Sequence, residues 1–359
     1  MKKIVLTGGG TAGHVTPNMA LIPLLLKEGW DIHYIGTAEG IERSLIEPIE
    51  GVTYHTVKSG KLRRYFDLKN FTDPFRVVAG AFQSARLVGA VKPDIVFSKG
   101  GFVSVPVVYG ARLNRVPVLI HESDMTPGLA NRLSTPFAKA VCCTFPEAAA
   151  LAGKKGQVTG TPLRADLFLG DRKRGLKALG FDENTPILMV MGGSSGALAI
   201  NAAVRASLPR LTECFQVLHL CGKGNADDEY EGHPRYKQVE YLNEEMKHAY
   251  AIASVIVSRA GSNSLSEILA LKKPSLLIPY PKGSTSRGDQ IDNANSFARR
   301  GLARMLLQEN LTPETFVEAV VEVYKMRGAL IDAMEREPSA DGVVNVMTLI
   351  HTHARNRQE

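Results

Sequence analysis

The sequence predicts an α/β protein of two domains, each a doubly wound parallel sheet covered by helices. Short β-rich runs alternate with helical patterns through the first half, the signature of parallel strands joined by crossover helices. A glycine-rich turn links the first apolar run to the first helical pattern. That opening recurs past the middle, and 359 residues suffice for two domains of ordinary size.

The first element is the strand Ile4–Leu6, followed by Gly8-Gly9-Gly10-Thr11-Ala12-Gly13-His14 and then by Met19, Ala20, Ile22, Leu24 and Leu26 at helical spacing. Glycine lets a ligand approach the main chain, and an open helix N-terminus favours an anion. The spacing Gly8-x-Gly10-x-x-Gly13 matches the dinucleotide fingerprint, which also asks for an acidic residue at the end of the second strand. Here that strand, Ile32–Ile35, runs into Gly36-Thr37, and Asp31 sits at the wrong end. NAD is therefore disfavoured. Phosphate binding and a plain packing turn both remain, and His14 at the loop mouth favours chemistry.

Further strands are expected at Tyr54–Val57, Ile95–Phe97, Val116–Ile120, Ala140–Thr144 and Gln157–Val158. In such sheets ligands meet the carboxyl ends of the strands. Those ends carry Gly8–His14, Lys99-Gly100-Gly101-Phe102 and His121-Glu122-Ser123-Asp124. Between them lies Asp73-Pro74, which reads as a cap and first helical residue. Phe75, Val78 and Phe82 then form one helical stripe with Phe71 just before it, while Val77, Ala81 and Val88 form a second stripe for the sheet.

The pattern pauses near Gly160–Arg164, which places the domains at 1–163 and 164–339, with the final helical pattern in 340–359 expected to return to the first domain. The second domain restarts at Ile187–Met191, then Gly192-Gly193-Ser194-Ser195-Gly196 and a helix from Ala197. Its later strands are expected at Gln216–Leu220, Val239–Leu242, Val255–Ser258, Ser275–Pro279 and Ala303–Leu307. Both halves are thus Rossmann-like, and a site made of loops from both is expected in the cleft they face.

Two segments of the second half carry candidate chemistry. Arg259-Ala260-Gly261-Ser262-Asn263-Ser264-Leu265-Ser266-Glu267 follows a strand and opens a helix, a geometry suited to a diphosphate. Glu267 reads equally as an acceptor for two ribose hydroxyls or as a charge that favours the helix dipole. Arg287, Gln290 and Asn293 precede or open another helix and suit sugar hydroxyls, or simply accompany a helix capped by Ser286 or Asp289.

The net charge of +7 is concentrated. Lys58, Lys61, Arg63, Arg64, Lys69, Arg76, Arg86 and Lys92 face only Asp67 and Asp73 between residues 58 and 92. Basic residues around an aromatic stripe suit an anionic membrane surface better than nucleic acid, although such stripes also build cores. No run of about 20 apolar residues would span a bilayer. The chain enters a strand at once, so no signal peptide is expected. Cys142, Cys143, Cys214 and Cys221 have no metal or redox spacing, which suits a reduced cytosolic compartment.

Taken together, Gly9-Gly10-Thr11-Ala12-Gly13-His14, Gly100-Gly101-Phe102-Val103-Ser104, His121-Glu122, Pro162-Leu163-Arg164, Gly192–Ala197, Arg259-Ala260-Gly261 with Ser266-Glu267, and Gln290 with Asn293-Ala294 resemble the MurG family across nearly the whole chain. The resemblance implies a GT-B fold and inverting transfer of N-acetylglucosamine from UDP-N-acetylglucosamine to membrane-bound lipid I, giving lipid II, with no cofactor and no metal. It implies that Arg164, Ser194 and the loop Ser262, Asn263, Ser264, Leu265, Ser266 and Glu267 hold the donor diphosphate and ribose. Leu242 meets the uracil through its backbone, and Gln290 and Asn293 read the sugar hydroxyls. Thr11, Ala12, Gly13 and His14 face the acceptor diphosphate and reacting centre, with Thr11, Ala12, Gly13 and Asp124 also near the donor. His14 is the first candidate base, since an unperturbed imidazole titrates near neutrality, and Glu122 and Asp124 compete for the role. Phe71, Phe75, Val78 and Phe82 with Arg63, Arg64 and Arg76 match the patch that meets the cytoplasmic face of the cell membrane.

Two motifs depart from the family pattern. His121-Glu122-Ser123-Asp124 stands where His-Glu-Gln-Asn is usual, placing a carboxylate where the family has an amide, and Ala12 replaces a glycine. These departures leave open a different acceptor, such as diacylglycerol. The wider alternatives are a UDP-N-acetylglucosamine epimerase and a nucleotide-sugar binding scaffold without turnover.

Overall fold

The computed structural model describes residues 1–59, 69–193, 196–283, 288–337 and 341–355, the side chains of 69–78 excepted. The chain divides into one unit of Met1–Arg164 with Ala340–Glu359 and a second of Ala165–Ser339.

The first unit holds β1 (Lys3–Thr7), β2 (Asp31–Gly36), β3 (Val52–Thr56), β4 (Ile95–Ser98), β5 (Val118–Glu122), β6 (Ala140–Cys143) and β7 (Gly156–Val158). They form one sheet in the order β3-β2-β1-β4-β5-β6-β7, with every pairing parallel. The apolar runs of β1, β4, β5 and β6 are buried throughout apart from Lys3 at the edge, as expected of strands covered on both faces. The order reverses between β1 and β4, and the loops that leave their carboxyl ends meet there.

The last helix, Gly342–His353, packs into the core of this first unit through Val346, Met347, Leu349 and Ile350. Asp341 caps it by accepting from Val343 N–H at 3.0 Å and Val344 N–H at 3.1 Å. Gly342 lies against the backbone of Thr161 and Pro162 so closely that a Cβ would overlap it. Asn345 Nδ2 donates to Thr159 O at 3.1 Å, which fixes where the helix begins.

The second unit holds β8 (Ile187–Met191), β9 (Gln216–Leu220), β10 (Tyr236–Val239), β11 (Ala253–Ser258), β12 (Ser275–Leu277) and β13 (Arg304–Met305). Their order is β10-β9-β8-β11-β12-β13, again parallel throughout. The reversal here falls between β8 and β11, the strands that feed the second glycine loop and the Arg259–Glu267 segment.

Several boundaries differ from the sequence expectation. β10 ends at Val239, so Tyr241 and Leu242 lie in the loop beyond it. The helix after the basic run spans Lys69–Val91, which puts Asp73-Pro74 inside it and not at its start. The helix Asp289–Arg299 is capped by Gly288 at φ +84°, not by Asp289, and Ser286 lies outside the described residues. Cys142 and Cys143 are buried thiols, and burial pushes each up to about 12.

Candidate active site

In the first unit the site is built on the end of β1. Gly10 takes φ +88°, a conformation that suits glycine, and the chain then makes the short turn Ala12–His14 before the helix Thr16–Lys27. Gly101, at the end of β4, packs on the carbonyl of Gly9, where any side chain would overlap that backbone. The two loops are thereby held against each other.

Three buried polar residues hold the glycine loop from beneath. Tyr34 OH donates to Gly8 O at 2.6 Å, and Asn18 Nδ2 donates to Tyr34 OH at 3.2 Å and Thr7 O at 3.3 Å. Glu42 is only 1% exposed. Its Oε2 accepts from Gly10 N–H at 3.1 Å, and its Oε1 accepts from Thr37 N–H at 3.0 Å and Thr37 Oγ1 at 2.6 Å. Burial alone would raise the pKa of Glu42, but the bonds from Thr37, its own amide and Gly10 outweigh it and hold the carboxyl below its ordinary value.

His14 is partly exposed at the loop mouth, with Thr11 Oγ1 3.1 Å from its Nδ1. Desolvation and the nearby Lys99 charge lower its pKa to about 4, against opposing contributions from the Gly9 backbone and Glu42. The expectation of a base titrating near neutrality is corrected here: burial first and Lys99 second leave the imidazole neutral at pH 7 and weakly basic.

The His121–Asp124 segment closes the end of β5. His121 is fully buried and its Nε2 lies 3.0 Å from Gly160 O, while burial and Lys99 hold its pKa well below the ordinary value. Glu122 Oε1 accepts from Asp124 N–H at 3.0 Å, and Oε2 accepts from Gly128 N–H at 3.0 Å and Asn131 Nδ2 at 2.8 Å. Burial and Asp124 raise the Glu122 pKa. A carboxylate engaged on both oxygens braces the loop.

In the second unit the helix Ser262–Ala270 starts after Gly261, and its internal bonding begins with Leu265 N–H to Gly261 O at 3.0 Å. Its first-turn amides, those of Ser262 to Ser264, therefore lead out of the helix end. Ser266 Oγ bonds back to Ser262 O at 2.8 Å. Leu265, expected in the donor loop, is fully buried in the core with its amide already bonded, so its side chain has no surface to offer a ligand. Glu267 accepts from Tyr250 OH at 2.7 Å, and Tyr250 is itself buried. Gln290 Oε1 accepts from Tyr280 N–H at 2.9 Å, and the wholly buried Asn293 donates to Ala260 O at 3.3 Å, so both also tie loops together. Leu242 is half-buried, and Arg164 is exposed at the end of the first unit's main segment.

The structure brings Thr11, Ala12, Gly13, His14, Glu122 and Asp124 to one end of the first sheet, and Ser262 to Glu267 with Gln290 and Asn293 to one end of the second. Ser194 and the side chains of Arg63, Arg64, Phe71, Phe75, Arg76 and Val78 lie outside the described residues. Phe82 is 72% exposed. Sequence reading missed Glu42, Lys99 and Tyr250. Glu42 and Tyr250 carry no local signal, whereas Lys99 was visible only as the residue after Ser98, at the carboxyl end of the strand expected at Ile95–Phe97. Among the described residues no helix is long and apolar enough to cross a membrane, and no cluster of His, Cys, Asp and Glu would hold a metal ion.

Comparison with known proteins gives these sites a context. The glycosyltransferase family 28 N-terminal domain matches residues 4–143, and the family's C-terminal domain matches residues 187–348. A UDP-N-acetylglucosamine–N-acetylmuramyl-(pentapeptide) pyrophosphoryl-undecaprenol N-acetylglucosamine transferase of Lachnospira eligens is 51% identical over 356 residues, 99% of this chain and 100% of that one. A Clostridium botulinum protein of the same name is 50% identical over the same shares. The crystal structure of Acinetobacter baumannii MurG shares the fold with a TM-score of 0.79 at 24% identity, covering 98% of this chain and 100% of that one. The fold is GT-B, as the motifs implied, and the chain belongs to glycosyltransferase family 28, within the MurG family of N-acetylglucosamine transferases.

Proposed function

We propose that this protein transfers N-acetylglucosamine from UDP-N-acetylglucosamine to the N-acetylmuramyl sugar of lipid I, giving lipid II for peptidoglycan. The observation that carries this reading is the 51% identity, end to end, to a relative named for that reaction. The second unit takes the donor. Glu267, oriented by Tyr250, receives the ribose hydroxyls, and the backbone at Leu242 meets the uracil. The start of the helix Ser262–Ala270, with Ser194 and Arg164, receives the diphosphate, and Gln290 lines the sugar, braced by the buried Asn293. The first unit takes the acceptor at Thr11, Ala12, Gly13 and His14.

Chemistry follows as one displacement. His14 accepts the proton of the acceptor hydroxyl, whose oxygen bonds to the anomeric carbon from the face opposite the diphosphate. The bond to the diphosphate breaks, and UDP departs with its electron pair. Main-chain N–H groups at helix starts stabilise the departing charge because they are fixed in place before it develops.

The lipid acceptor places the reaction at an anionic membrane surface, with docking on the cytoplasmic face by the basic stretch from Lys58 to Lys92 and the exposed Phe82. A coupled assay of UDP release tests the whole reading. Release is expected only when lipid I is present, and His14→Ala is expected to lower kcat at least about 100-fold while UDP affinity stays within about twofold. Release of UDP or free sugar without lipid I overturns it.

A further inference from the structure

Arg259 follows the last residue of β11 and is 9% exposed. A buried guanidinium needs acceptors for its fork of N–H groups. Nη1 donates to Ile278 O at 3.1 Å and to Pro279 O at 3.2 Å, the two carbonyls that follow β12. Nη2 donates to Gln308 Oε1 at 2.6 Å. The next residue, Tyr280, places the centre of its ring 5.4 Å from the guanidinium carbon, a cation–π contact. Arg259 thus grips the backbone leaving β12 twice, through its carbonyls and through the ring just beyond them.

This grip fixes one amide. Tyr280 N–H donates to Gln290 Oε1 at 2.9 Å, on the first turn of the helix Asp289–Arg299. A main-chain N–H can only donate, so the carboxamide oxygen faces it; the flipped amide would set N–H against N–H. Gln290 is half-buried, and among the described residues its Nε2 meets no partner. One turn further on, Asn293 donates to Ala260 O at 3.3 Å, which holds this helix beside the turn that opens Ser262–Ala270. Nε2 is therefore presented in one orientation, as a donor. It can meet the lone pairs of a ligand oxygen and cannot accept a hydrogen bond from a hydroxyl.

We propose that Arg259 and Tyr280 are positioning residues for the donor sugar: by pinning the Tyr280 amide they lock the Gln290 carboxamide with Nε2 outward, so that the site selects a sugar with an oxygen acceptor at that point. The inference rests on Gln290 lining the sugar. Its test uses binding alone, without a lipid acceptor. UDP carries no sugar, so its affinity reports the rest of the donor site.

Calorimetric titrations of the full chain with UDP-N-acetylglucosamine and with UDP separate the two. Gln290→Glu keeps an acceptor for Tyr280 N–H but removes the outward donor, and is expected to weaken the sugar nucleotide about tenfold more than it weakens UDP. Tyr280→Leu, which takes the ring off the guanidinium, is expected to weaken the sugar nucleotide at least about fivefold while UDP stays within about twofold. Tyr280→Phe keeps the ring and is expected to keep wild-type selectivity. Arg259→Met should act like Tyr280→Leu, and Arg259→Lys should recover only part of the loss, because an ammonium lacks the planar fork. If Arg259→Met does not fold, Tyr280→Leu decides. The double variant of Tyr280→Leu with Gln290→Glu is expected to lose no more selectivity than Gln290→Glu alone, since both act through one bond. Losses that multiply in the double variant, or a Tyr280→Leu variant that weakens both ligands equally or neither, overturn the proposal. Wild-type selectivity in Gln290→Glu defeats the reading that Gln290 touches the sugar, and the positioning claim falls with it.

Discussion

Replacing Glu42 is the sharpest perturbation of the glycine loop. Its carboxylate accepts from Gly10 N–H, Thr37 N–H and Thr37 Oγ1, and no solvent path competes because the residue is buried. Glu42→Ala orphans these three donors. An orphaned buried group costs about 1–3 kcal/mol, and partial entry of water brings the expected sum to roughly 3–5 kcal/mol. Glu42→Gln keeps the shape but turns one acceptor into a donor facing another N–H, for a loss of about 1–3 kcal/mol. In a unit of this size that lowers Tm by roughly 2–10 °C. The loop at Gly10 also loses its anchor, so kcat/KM for lipid I should fall at least about tenfold while UDP affinity holds. Because the folded Glu42 pKa lies below its ordinary value, its contribution is complete above about pH 4.5 and fades as the pH falls through the lower folded value. Calorimetry and steady-state kinetics on Glu42→Gln decide the matter. A variant with wild-type Tm and wild-type kcat/KM for lipid I would refute the reasoning.

Other consequences follow from the same structure. Tyr250→Phe removes the bond to Glu267, worth about 1.5–3 kcal/mol for a charged acceptor, so KM for UDP-N-acetylglucosamine should rise about 10-fold or more, but not for a donor lacking the ribose hydroxyls; equal effects on both donors would count against the ribose assignment. His219 is fully buried, its Nδ1 2.8 Å from Tyr236 OH and its Nε2 3.0 Å from Asn201 Oδ1, and burial lowers its pKa to about 3. Its stabilising contribution is therefore complete above about pH 6.5 and declines on acidification, by roughly 2 kcal/mol at pH 5, which urea midpoints for the second unit at pH 7 and pH 5 will measure. An unchanged midpoint would contradict this. Reversing the charges of Arg63, Arg64 and Arg76 should abolish salt-sensitive sedimentation with anionic vesicles, and unaltered sedimentation would remove the membrane proposal.

Much of this fold was legible because its strands are covered on both faces. Ile4–Leu6, Ile95–Phe97 and Ile187–Met191 read as strands since burial demands unbroken apolar runs. The edge strand β10 was less legible: Lys237 and Gln238 make it polar, and the expected strand slid onward to Tyr241 and Leu242. The helix cap at Gly288 was hidden because a left-handed glycine leaves no side-chain signal, while Asp289 beside it resembles a cap. The candidate residues on the glycine loops were named from spacing and resemblance. Their supports were not, since Glu42 reaches Gly10 from 32 positions away and Tyr250 reaches Glu267 from 17. Lys99 reads from sequence as the polar end of a strand, and only the packing of β1, β4 and β5 turns it into a buried charge.

The most direct measurement is mass spectrometry and NMR of the lipid recovered after incubating the protein with UDP-N-acetylglucosamine and lipid I. The account predicts a product heavier by one N-acetylhexosamine, joined with inverted anomeric configuration. Recovery of unmodified lipid I, of an epimerised free sugar, or of a product with retained configuration would contradict it.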